Sequence, residues 1–126
     1  MTIREKLVIE LIKCENNIHH KILLKFKNKI NHSMSDNEIF EILENLILDY
    51  GNEIINLSKN KNTNEKDIQK YKFAMISQNV YNTFLCEFKY KKYRPIYYER
   101  ELSNYNKNGN PIKSDIKPLI FNLKEN

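Results

Sequence analysis

Residues 35–57 read SDNEIFEILENLILDYGNEIINL, and this stretch decides the fold. Ser35 followed three residues later by Glu38 is a capping box, in which the hydroxyl accepts from the third helical amide and the carboxylate reaches back to the cap's own amide. Ile39, Ile42, Leu43, Leu46, Ile47, Tyr50, Ile54 and Leu57 then recur at steps of three and four, laying one apolar stripe along a helix. The spacing predicts a helix over residues 36–58.

On the N-terminal side, Ile3, Leu7, Leu11, Ile18, Ile22, Phe26 and Ile30 repeat the period, reinforced by Val8, Ile12 and Leu23. They predict one long helix over about residues 2–31, or two shorter ones broken near Asn16 and Asn17, because Asn competes with the helix by bonding local backbone. On the C-terminal side, the polar run 58–64 interrupts the period, and Asn62 or Thr63 can cap a helix whose first turn holds Glu65 and Asp67. Its stripe runs through Ile68, Tyr71, Met75 or Ile76, Val80, Tyr81, Phe84, Leu85 and Phe88, over about residues 64–91, with a second possible break near Ser77 to Asn79. Pro95, Pro111 and Pro118, together with Gly109 and several Asn, then rule out continued helix.

The expected fold is therefore mainly α: three long amphipathic helices (residues 2–31, 36–58 and 64–91) with a Pro/Asn-rich C-terminal arm or short β-hairpin. Residues 1–92 form the helical domain, and residues 93–126 the arm of that same single domain. The length of 126 residues suits one core. Gly51 and Gly109 stand alone, so neither the P-loop nor the dinucleotide-binding glycine pattern can be built. Cys14 and Cys86 are too few for a disulfide framework, and the charged N-terminus has no uninterrupted apolar core of the signal-peptide kind. No apolar run is of membrane-spanning length, which leads us to expect a cytoplasmic or otherwise intracellular protein.

Catalytic chemistry finds little support. Cys14, His19 and His20 do not have the separation of three or four that puts two ligands on one helix face, so the expectation is a buried thiol beside two surface imidazoles, without metal or cofactor. Glu41, Glu44, Asp49 and Glu53 lie opposite the apolar stripe as a solvent-facing acidic run, and no nucleophile elbow is present. An enzyme with a small-molecule substrate is not expected.

Charge speaks more clearly. The net charge of +5 hides an acidic segment of −6 over residues 33–57 between basic neighbours, +4 over residues 1–32 and +4 over residues 89–100. The sharpest basic clusters are Lys21, Lys25, Lys27 and Lys29, and then Lys89, Lys91, Lys92 and Arg94 interleaved with Tyr90 and Tyr93. Cations attract phosphate and the rings between them can stack on unpaired bases, although basic residues also suit helix C-termini. The tyrosines equally suit a protein interface or the core. Nucleic acid is thus a possible partner, and a protein partner or a homo-oligomer an expected one.

The stretch Ile42-Leu43-Glu44-Asn45-Leu46-Ile47-Leu48-Asp49-Tyr50, with Glu53-Ile54 and then Thr63 to Asp67-Ile68, resembles the central helix, second loop and third-helix start of histone-fold subunits, particularly the small ones of the general transcription factor TFIID. The resemblance covers residues 20–76 at most, with residues 20–30 as the first helix. It implies an obligate heterodimer, a nuclear location, and lysines of the first loop and helix ends near nucleic acid. The long first helix and the Pro-rich arm depart from the histone pattern. Without the resemblance, the same residues describe an antiparallel bundle of the size common among phage or plasmid accessory proteins. That analogy suggests an inhibitor docking on a host nuclease complex, as anti-CRISPR proteins do, or a virion connector or adaptor gripping its neighbour with the arm.

Overall fold

The computed structural model describes residues 1–15, 17–59 and 64–96, and among them it is helical, with no strand. Four helices follow in order: α1 (Ile3–Lys13), α2 (Ile18–Lys27), α3 (Asp36–Ser58) and α4 (Glu65–Phe88). The expected count of three long helices is therefore corrected to four. Of the two alternatives for residues 2–31, the split one holds. Asn17 causes it: its backbone is extended and its side-chain oxygen accepts from the His19 amide at 3.0 Å, so it starts a new helix. Residues 91–96 have no regular secondary structure, and the expected hairpin or arm otherwise falls outside the described residues.

Local chemistry sets most boundaries. Thr2 and Glu5 form a capping box at the start of α1, with Thr2 N–H donating to Glu5 Oε1 at 3.0 Å and Glu5 N–H to Thr2 Oγ1 at 3.1 Å. Those hydrogen bonds hold the Glu5 carboxyl below its usual range. Ser35 and Glu38 form the predicted box on α3. On α4 the cap is Asn64, accepting from Asp67 N–H at 2.8 Å, rather than Asn62 or Thr63. The possible break near Ser77 is absent: the Ser77 hydroxyl donates to the Phe73 carbonyl one turn back, at 2.7 Å, and the helix continues.

α1 and α2 form an antiparallel hairpin. Cys14 and Asn17 close its tight end, with Asn17 N–H on Cys14 O at 3.0 Å. At the open end Arg4 donates to the carbonyls of Asn31 and Met34, each at 2.9 Å, and so ties α1 to the α2–α3 connection. α3 and α4 form a second antiparallel hairpin with the most extensive helix pairing among the described residues. Gly51 leaves room for the Gln78 side chain, whose amide nitrogen a Cβ there would meet at 3.0 Å and which donates to Ile47 O at 3.1 Å.

The hairpins join over one apolar core. Ile3, Leu7, Leu11, Ile18, Ile22 and Phe26 enter it from α1 and α2; Ile39, Leu43, Leu46 and Tyr50 enter from α3. The Phe26 ring lies edge-on to Tyr81 and Phe84 of α4, with centroids 6.2 and 5.6 Å away. Tyr81 is fully buried, and its hydroxyl donates to Ile22 O at 2.7 Å. Burial, with the Tyr50 phenol as a smaller cause, pushes that hydroxyl's pKa up. Val8 and Ile12, which reinforce the first stripe in the sequence, face outward instead.

No helix among the described residues is long and apolar enough to cross a membrane.

Candidate nucleic-acid interface

The segment that leaves α4 carries the second basic cluster. Lys89 and Tyr90 still donate to Leu85 O, at 2.9 and 3.3 Å, and then the chain turns sharply, with Lys92 N–H on Cys86 O at 2.8 Å. Lys91 makes the turn at φ 59, the left-handed region where an L side chain crowds its own backbone at a cost of roughly 1–2 kcal/mol. Glycine is the residue this position favours. Replacing Lys91 by Gly is expected to stabilise the fold by roughly 0.5 kcal/mol, whereas Lys91→Val destabilises it; thermal melts of the two variants check the opposite signs.

The turn sorts the cluster into two kinds of cation. Lys89 reaches back to Glu44 of α3, Nζ to Oε1 2.6 Å, and also lies 5.6 Å from the Tyr90 centroid. The hydrogen bond to Glu44 raises the Lys89 pKa and fixes part of its charge within the fold. Lys91, Lys92 and Arg94 are exposed and make no ion pair among the described residues. Tyr90 and Tyr93 stand beside them, 54% and 70% exposed. Tyr93 has an inward neighbour as well, the Lys6 ammonium 5.0 Å from its ring centroid.

Lys6 escapes the sequence pattern. Its ammonium is buried in the bundle, paired with Glu87 at 2.7 Å and placed 5.8 and 6.0 Å from the Phe84 and Phe88 centroids. Together with Tyr93 these groups fold the post-helical segment back toward α1. The only cue in the sequence is that Lys6 falls between Ile3 and Leu7, on the inward side of the α1 stripe.

The first cluster is differently disposed. Lys25 donates to the Tyr50 hydroxyl at 2.9 Å and sits 4.7 Å from its ring centroid, and Lys21 lies 5.9 Å from that of Phe73. Both therefore engage aromatic rings of the α3–α4 hairpin, while Lys27 and Lys29 are exposed. Glu44, the partner of Lys89, and Tyr50, the partner of Lys25, are six residues apart on α3, which is about 120° around the helix. The two clusters thus address different sides of α3.

The remaining candidates are Cys14, the two histidines that follow it and the acidic run of α3. Cys14 is buried, its Sγ 3.9 Å from Leu11 O, and burial assisted by Glu10 pushes its thiol up to about 12. It stays protonated at neutral pH, a poor nucleophile and a poor ligand. His19 is fully buried, which corrects the expected surface imidazole; its Nδ1 lies 2.6 Å from Asn17 Oδ1, and His20 is half-buried. Among the described residues no three His, Cys, Asp or Glu side chains are placed to hold a metal ion. Glu41 and Asp49 face solvent as expected, and Glu44 serves Lys89. Compared with protein-family models, with curated proteins and with solved structures, the chain matches none.

Proposed function

We propose that this chain is a non-enzymatic interaction protein working on or within a nucleic-acid-handling assembly, with Lys91, Lys92 and Arg94, aided by Lys89, Tyr90 and Tyr93, as the contact surface. One observation carries the reading: three exposed cations, none in an ion pair among the described residues, and two exposed rings stand within five consecutive residues at the end of α4. Cations release counterions from phosphate, and neighbouring rings offer stacking platforms for unpaired bases. Lys29 would extend the surface on a longer strand. Lys21 and Lys25 contribute less, because their ammonium groups already engage Phe73 and Tyr50.

The test is titration with labelled single- and double-stranded nucleic acid at several salt concentrations. For the variant Lys91→Ala/Lys92→Ala/Arg94→Ala, affinity should fall and the slope of log K against log salt should flatten by about 2 to 3, close to one for each phosphate that is no longer neutralised. Unchanged affinity and slope in a folded variant end the proposal.

A protein partner is the second reading, favoured by Leu48 and Ile55, large apolar side chains exposed on the outer side of α3. A histone-type heterodimer would place its partner helix there, since Ile39, Leu43, Leu46 and Tyr50 are already covered within the chain. An inhibitor or adaptor would add Tyr90 and Tyr93 to the same role.

A further inference from the structure

The outer face of the α1–α2 hairpin carries exposed apolar side chains beside a groove. Val8 and Ile12, one turn apart on α1, are 50% and 71% exposed. With Leu24 of α2 they line an open groove of about 320 Å³ between the two helices. Glu15 and Lys27 line it too. Because the helices are antiparallel, these two charges stand at opposite ends: Glu15 follows the last turn of α1, and Lys27 ends α2 beside the start of α1.

We infer that this groove docks a second copy of the chain, across a two-fold axis that meets α1 at the level of Glu10. Such an axis exchanges positions lying equally far before and after residue 10 along the helix. Val8 of each copy then packs on Ile12 of the other, so all four side chains leave water together. Glu15 lies five residues beyond the axis. Lys27 sits level with about Arg4 of α1, six residues before it and so within about one residue of matching, when positions are counted back through the 14–17 turn at about 1.5 Å each. The same rotation therefore brings each Glu15 to the Lys27 of the other copy, and both ion pairs form at once. A copy docked in the parallel sense would set Glu15 against Glu15 and Lys27 against Lys27, so charge selects the antiparallel arrangement. An apolar centre with opposite charges at its two ends is complementary to itself, which favours a second copy over an unrelated occupant.

The experiment is light scattering and sedimentation equilibrium on the full chain from low- to high-micromolar concentration. The expected mass is twice the 15.2 kDa of the chain. Ile12→Glu buries a carboxylate against Val8 of the other copy, twice in each dimer, and should weaken the dimer by at least about tenfold, the effect of desolvating an unpaired charge. Glu15→Lys alone and Lys27→Glu alone should each weaken it too, and the double swap Glu15→Lys/Lys27→Glu should restore it. Circular dichroism melts confirm that each variant is folded; should Ile12→Glu fail to fold, the charge-swap series decides alone. A monomer throughout the concentration range overturns the inference and leaves the groove to another occupant. A dimer that ignores both Ile12→Glu and the charge swaps overturns it as well, by placing the interface elsewhere.

Discussion

Replacing Phe26 by Ala is expected to remove about 3–5 kcal/mol of stability, read as a fall in the urea midpoint at unchanged slope. The ring is completely buried at the last turns of α2, and it is the piece on which the two hairpins meet. Its edge-on packing on Tyr81 and Phe84 adds to the loss of apolar burial, and α4 cannot close the void without dragging Tyr81 off Ile22 O. Domains of this size are stable by about 5–15 kcal/mol, so the variant gives up a large share of a typical reserve. A loss below about 1 kcal/mol would mean that the hairpins do not dock through this ring, since a removed core phenyl should cost several times more.

The second large effect concerns Glu87. Removing it as Glu87→Ala leaves the Lys6 ammonium among three rings without its counter-ion, and breaking a buried pair from one side costs up to about 3–5 kcal/mol. We expect about 2 kcal/mol, because the Glu87 side chain keeps 22% exposure and the faces of Phe84, Phe88 and Tyr93 retain some attraction for the cation. Lys6→Met is expected to cost under about 1 kcal/mol: it fills the same volume, and the carboxylate it strands lies nearer to water. Chemical denaturation of the two variants reads the difference. Equal losses would show that the pair acts as a surface bridge and that Lys6 is not enclosed as the geometry describes. A side effect on fluorescence is also expected, since Tyr93 loses its anchor only when the cation moves.

These two sites mark where sequence reading succeeds and where it stops. Phe26 belongs to a stripe of period three to four, and every member from Ile3 through Phe26 at the main positions is buried. α3 is legible to the residue, because the Ser35–Glu38 capping box is a local device contained within four residues. The apolar period carries α4 to residue 91, three residues past its actual end at Phe88, since Lys91 takes a turn conformation for which the sequence offers no glycine. The split between α1 and α2 is one of two possibilities, and composition cannot choose between them: Asn17 caps only if its backbone is extended.

Buried polar groups are harder to read. Lys6, Glu10, His19 and Lys72 all lie inside, and a polarity pattern assigns such residues to solvent. For Lys6 the reason is distance along the chain, because its carboxylate is 81 residues away. The candidate interface shows the same limit. The charges of Lys89 to Arg94 are plain in the sequence, but that Lys89 is taken by Glu44 while its neighbours are left exposed depends on a partner 45 residues away.

The double-hairpin layout also predicts an order of assembly. α3 and α4 are neighbours along the chain and share the most extensive pairing, so their association closes a short loop and loses little chain entropy before packing repays it. Docking of α1 is the opposite case, since Lys6 and Arg4 must find partners far along the chain. We expect the α3–α4 hairpin to be the seed on which the rest condenses, so that during synthesis the N-terminal hairpin, which emerges first, waits unsupported until the ribosome has released α4.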